Sequence, residues 1–164
     1  MNAADFPRLG LQDAVARLCE MPGLLDAAIE GRAADELLVR PGEGEFSLVE
    51  HACHLRDLER EGYLVRVRRI LAEDLPELAP FDGAAVARDR DYLQQSAADA
   101  ARDFGTARRA VIALLAPLGA AELARAALFD GKRIMLCDVI AMMCDHDRGH
   151  REEIDALAKA LESH

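Results

Sequence analysis

Residues 134–161 read IMLCDVIAMMCDHDRGHREEIDALAKAL, a run with no proline and a single glycine. Met135, Val139, Met142, Met143, Ile154, Leu157 and Leu161 recur at helical spacing and define one apolar stripe of a long helix. His146 and His150 fall in the middle of that stripe, four residues apart. At 100° per residue their side chains point about 40° from each other. A helix that buries this stripe therefore buries two imidazoles side by side. An unpaired polar group in a core costs about 1–3 kcal/mol. Two arrangements remove that cost. Each ring can hydrogen-bond a core carboxylate or a water molecule, or both rings can share a metal ion, which neutral imidazoles at this spacing reach together. The central position of the pair favours the metal. Cys137 and Cys144, on the same run, point about 140° and 160° away from the pair and are read as packing residues.

Working outward, three more helical patterns precede this one. The first runs from about Leu11 to Gly31, with Pro22 predicting a kink or a restart inside it. Arg40 to Glu45, RPGEGE, reads as a loop. Ser47 and Glu50 then form the S-x-x-E capping pattern ahead of a second helix reaching about Ala72. Residues 73–90 hold Pro76, Pro80 and Asp82-Gly83, an extended connection with room for a short helix. A third helix is predicted from about Tyr92 to Leu118, carried by Leu93, Ala97, Ala101, Phe104, Val111, Leu115 and Leu118 and ended by Gly119. A short helical piece over Ala120 to Ala127 and a turn at Asp130-Gly131 lead into the last helix, from about Ile134 to Leu161. Four helices with a long crossover between the second and third predict an all-α four-helix bundle, a single domain over residues 1–164.

Composition agrees with that architecture. Apolar residues make up 51% of the chain, enough for a core without disulfides, whereas aromatics are only 4%. Ala and Leu supply about a third of the residues, which favours helices over a sandwich or barrel. A net charge of -10 without an aromatic-basic cluster argues against nucleic acid as a partner. Cys19, Cys53, Cys137 and Cys144 show no C-x-x-C spacing, as expected in a reducing compartment. The start, MNAADFPRLG, does not read as a secretion signal, and no apolar run approaches the roughly 18 residues of a membrane span. The expected location is the cytoplasm.

The second helix, FSLVEHACHLRDLEREGY from Phe46 to Tyr63, supplies candidates for a third ligand. His54 shares a stripe with Glu50, Asp57, Leu58, Glu61 and Val65, and His51 lies about 60° to one side. Taken alone, this reads as a solvated charged face carrying an incidental histidine. Beside a ligating imidazole, its carboxylates would instead suit the orienting role that free ring N–H groups require. His164, at the chain's end, is expected to take no part.

Together, Phe46-Ser47-x-x-Glu50-x-x-x-His54-Leu55-x-Asp57 on the second helix and His146-Asp147-x-x-His150 on the fourth resemble the DinB/YfiT-like superfamily of metal-binding four-helix bundles. Phe46 stands where that family usually has tryptophan, as an aromatic plug expected not to touch the ligands. The resemblance implies one divalent ion, zinc, nickel or iron, on His54, His146 and His150. His54 is preferred to His51 because it holds the motif position, has Asp57 and Glu50 within one turn, and lies further from the Ser47 cap. The resemblance also implies a homodimer and a small-molecule substrate. Relatives include thiol S-transferases using low-molecular-weight thiols, a mycothiol-dependent isomerase, metal-dependent hydrolases and damage-induced proteins. Two readings remain open: a metal-dependent thiol S-transferase or hydrolase, in which Glu50, Asp57, Glu61 or Glu153 orients a ligand or moves a proton, and a binding or stress-response bundle without turnover. A pocket over the ion's open side distinguishes the enzyme.

Overall fold

The computed structural model describes residues 6–163, with side chains from residue 10 onward; His164 lies outside the described residues. Helix α1 (Phe6–Ile29) breaks its helical dihedrals at Gly10, where φ is 69°, and runs unbroken through Pro22. The helix therefore does not restart at Pro22. Proline has no N–H, so the carbonyl of Leu18, four residues earlier, lacks its helical donor. Nη1 of Arg108 supplies that hydrogen bond at 2.9 Å.

The second long helix has three parts: α2 (Leu48–Asp57), a π turn over Leu58–Tyr63, and α3 (Leu64–Ala72). It opens on the expected capping box. The Ser47 hydroxyl accepts from the Glu50 N–H at 3.4 Å, and the Glu50 carboxylate accepts from the Ser47 N–H at 2.9 Å. The wider π turn adds a residue and shifts the phase of everything after it. That shift corrects the predicted stripe. Glu61 and Val65 face solvent, whereas Tyr63, Arg66, Val67 and Ile70 turn inward. The same turn brings Glu59 into the core at 1% exposure.

The crossover contains β1 (Glu77–Leu78), α4 (Gly83–Asp89) and a 3-10 turn at Tyr92–Gln94. The third long helix, α5 (Ala97–Leu115), begins later than its pattern predicts because the Ser96 hydroxyl caps it, accepting from the Asp99 N–H at 3.2 Å. A single turn, α6 (Ala120–Leu123), follows. The helical piece predicted to reach Ala127 ends there. Ala126–Phe129 and Lys132–Met135 form an antiparallel pair, β2 and β3, and β1 joins β2 in parallel. Asp130 (φ 51°) and Gly131 (φ 71°) make the two-residue turn with both φ values positive that matches strand twist. This small sheet anchors the crossover, with the Leu128 N–H donating to the Pro76 carbonyl at 2.9 Å.

The last helix, α7 (Leu136–Glu162), starts two residues after the expected Ile134. It packs on more than one side. Cys144, opposite the histidines, is buried with its Sγ 3.9 Å from the Ala14 carbonyl oxygen. Met135, assigned to the buried stripe, is 41% exposed at the mouth of the hairpin. No helix among the described residues is long and apolar enough to cross a membrane.

The apolar core forms two clusters. One gathers Leu18, Val67, Val111, Leu136 and Met143; the other gathers Leu25, Leu48, Ala100, Phe104, Ile154 and Leu157. Between them in sequence on the long helices lies a polar layer holding Arg108, Glu59, Asp147, His54, His146 and His150. Arg108, 1% exposed, donates to Glu59 (2.7 and 3.0 Å), to Asp147 (2.6 and 2.9 Å) and to Leu18, using all five N–H groups. Removing the guanidinium strands two buried carboxylates. Arg108→Met is expected to cost about 3–5 kcal/mol in urea unfolding. A loss below about 1 kcal/mol would show that the clamp contributes little.

Candidate metal centre

Two elements deliver four imidazoles to one place. His51 and His54 come from the first turns of α2, which the capping box orients, and His146 and His150 from the middle of α7. Nε2 of His146 lies 3.1 Å from Nε2 of His54 and 3.1 Å from Nε2 of His150. Two nitrogens bound about 2.0–2.1 Å from a tetrahedral zinc sit about 3.3–3.4 Å apart, so this spacing fits an ion. Three converging nitrogens also cannot all satisfy one another by hydrogen bonding, because each neutral ring carries one N–H.

Two groups of three ligand atoms are close enough to hold one ion, each within 4.8 Å: His54 with His146 and His150, and His51 with His150 and Glu153. They draw on opposite nitrogens of His150. Its Nδ1 lies 2.9 Å from Nδ1 of His51 and 3.7 Å from Glu153 Oε2, which is also 3.7 Å from His51 Nε2. His51 is thus not at a solvated helix end, as its nearness to the cap implied. It is 1% exposed. The pairing across 99 residues is tertiary, and nothing in the α2 pattern signals it.

The carboxylates expected beside His54 are engaged elsewhere. Glu50 closes the capping box and pairs with Arg40. Asp57 accepts from the Tyr92 hydroxyl at 2.7 Å and from Arg56 Nε at 2.7 Å. Glu61 pairs with Arg90 near the surface. Of the four carboxylates singled out in the sequence, Glu153 is the one placed against the imidazoles. Nδ1 of His54 is buried without a hydrogen-bond partner among the described residues. Its ring lies over Gly83, where an added Cβ would come within 2.6 Å of Cε1 and 2.9 Å of Nδ1. Phe46 packs against the site: its ring centroid is 5.4 Å from His54 and 5.6 Å from His51, closer to the candidate ligands than expected.

Burial and neighbouring rings keep the imidazoles neutral. Burial, then His150, lowers His51 to about 3; burial, then His51, lowers His54 to about 4. Burial, then His150 and His54, lowers His146 to about 2; burial, then His54, lowers His150 to about 4. Neutral rings are the ligating form.

His51, His54 and His150 form part of the wall of a cavity of about 610 Å³, with Phe46, Ala156, Leu157 and Ala160 apolar and Glu45, Glu152 and Glu153 acidic around it. Among the described residues, no lysine or arginine lines it. A smaller cleft of about 330 Å³, between α1 and α7 beside Cys144 and Asp147, contains no imidazole. Cys137 and Cys144 belong to neither candidate ligand group.

The depressed imidazole pKa values set a sign for stability. Below about pH 6.5 the unfolded chain takes up protons that these four folded rings refuse, so stability falls as pH falls. For protein treated with chelator, calorimetry is expected to show a melting temperature that declines between pH 7 and pH 5, before carboxylates titrate. A His146→Leu variant should show a shallower decline.

The structure of YfiT from Bacillus subtilis, described as a probable metal-dependent hydrolase with an unusual four-helix bundle topology, resembles this chain with a TM-score of 0.84. Sequence identity is 20%, over 93% of this chain and 87% of that one, so the likeness bears on the fold. Among curated proteins, none matches the sequence. The family profile of the DinB superfamily matches residues 17–154, which take in part or all of each long helix and the whole histidine cluster, and the chain belongs to that superfamily.

Proposed function

We propose that the chain is a metal-dependent hydrolase of a small, neutral or cationic molecule, with one divalent ion held by His54, His146 and His150. The observation that carries this reading is the cavity of about 610 Å³ with His54 and His150 in its wall, since a site serving only to hold a structural ion needs no such opening. YfiT, described as a probable metal-dependent hydrolase, supports the same class. When bound, the ion supplies Lewis acidity, lowering the pKa of a water molecule or thiol that reaches it.

The chain's own residues have separable tasks. Phe46 covers His51 and His54, and with Leu157 and Ala156 gives the substrate an apolar surface from which water is excluded. Glu153, its carboxyl pKa raised by burial and by Glu45, is positioned to take a proton at Oε2 during attack. The acidic lining, with no lysine or arginine in it among the described residues, disfavours substrates bearing carboxylates or phosphates. For the same reason water is the better nucleophile here than an anionic low-molecular-weight thiol.

Elemental analysis of protein purified without an affinity tag or chelator is expected to give close to one equivalent of ion per chain. His54→Ala should lower affinity by more than about 10-fold. Gly83→Ala, which drives a methyl group into the His54 ring, should do the same without altering any ligand. Reloaded protein is then screened against uncharged and cationic esters and amides beside a thiol-transfer assay. Transfer from a thiol without any hydrolysis would overturn the hydrolase assignment.

A further inference from the structure

The contact between His51 and His150 reaches beyond the ligand triad. It joins two ring nitrogens of one kind, Nδ1 to Nδ1, at 2.9 Å between α2 and α7. One proton occupies such a contact, so one ring donates and the other accepts. In the triad as proposed above, His150 offers Nε2, the atom 3.1 Å from His146, as a lone pair. Its proton then resides on Nδ1. That choice dictates the state of His51: its Nδ1 must accept, and its own proton must sit on Nε2.

We infer that His51 is a positioning residue, whose Nδ1 accepts the Nδ1–H of His150 and thereby holds the ring that presents Nε2 to the ion. The bond has a second consequence at the other end of His51. Nε2–H is left facing the pocket wall near Glu153 Oε2, 3.7 Å away and beyond a direct hydrogen bond. The pocket thus gains a neutral N–H donor where a substrate carbonyl oxygen can be received. Loading of the triad and the donor at the pocket wall are coupled through one proton between two rings, with no change in total charge.

His51 is well suited to this task. It is 1% exposed, so water does not compete for its Nδ1. The edge of Phe46 meets its ring at 86° and fixes the plane in which Nδ1 points. Its backbone N–H bonds the Ser47 carbonyl at 2.9 Å in the capped first turn.

This inference rests on the triad reading, and the experiment separates the two. Zinc affinity is measured by competition with a chromophoric chelator for the wild type and for His54→Ala, His51→Leu, His51→Asn and Glu153→Gln. His51→Leu is expected to weaken zinc binding by roughly 10-fold or more, the loss typical of a missing acceptor behind a ligating imidazole. His51→Asn, which keeps an acceptor oxygen on a short side chain, should recover most of that affinity. Nitrogen-15 correlation spectra of the zinc-loaded wild type should place the His51 proton on Nε2 and the His150 proton on Nδ1. Equal affinities for His51→Leu and wild type, or a His51 proton on Nδ1 in the loaded protein, would overturn the inference and leave the triad standing. Undiminished binding by His54→Ala, with loss in His51→Leu and Glu153→Gln, would overturn both and assign the ion to His51, His150 and Glu153.

Discussion

A single guanidinium ties the four long helices together. Arg108 on α5 reaches Glu59 in the π turn of the second helix, Asp147 on α7 and the Leu18 carbonyl of α1. Burying a charge this deeply carries a large desolvation cost, tolerable only when the partners are complete. Here they are, since each of the five N–H groups has an oxygen. Burial works against the charge, while Glu59 and Asp147 hold Arg108 firmly protonated. Each partner is available for a local reason. Pro22 frees the Leu18 carbonyl, and the π turn carries Glu59 inward.

The clamp also sets the site. Asp147 follows His146 directly, so fixing Asp147 fixes the rotation of α7 about its axis and with it the direction of His146 and His150. The capping box and the Arg40 pair fix the start of α2 in the same way, and thereby His51 and His54. Four imidazoles meet because two rigid helices are each held at a point within a few residues of the rings they carry. The polar layer lies between two apolar clusters, and burial there keeps the rings neutral.

Irregular segments finish what the helices begin. The crossover brings Gly83 under the His54 ring, where no side chain fits, while the small sheet holds the crossover in place. The loop before α2 brings Phe46 over the rings and leaves the cavity open beside it. Rigid elements thus carry the candidate ligands, and connections shape access to them.

The helical bundle was legible from composition and from period, because long amphipathic helices state their length and apolar face locally. The capping residue Ser47, the short helix in the crossover and the turn at Asp130-Gly131 were legible for the same reason: each is decided by side-chain chemistry within a few residues. The grouping of His146 with His150 follows from helix geometry alone, and His54 entered through the motif it shares with the DinB superfamily. Other features depend on contacts distant in sequence. The strand at Ala126–Phe129 has a helix former's composition and becomes a strand by pairing with Lys132–Met135 and Glu77–Leu78. Extrapolating the α2 stripe past Asp57 failed because a π turn changes the phase, and that turn goes with a buried partner, Arg108, 49 residues away from Glu59. Pro22 looked like a break because its missing donor is replaced from another helix. His51 looked solvated because its partner, His150, is brought to it by the packing of α7 against α2. Periodicity records which face a helix buries; which groups meet across that face is decided when the helices pack.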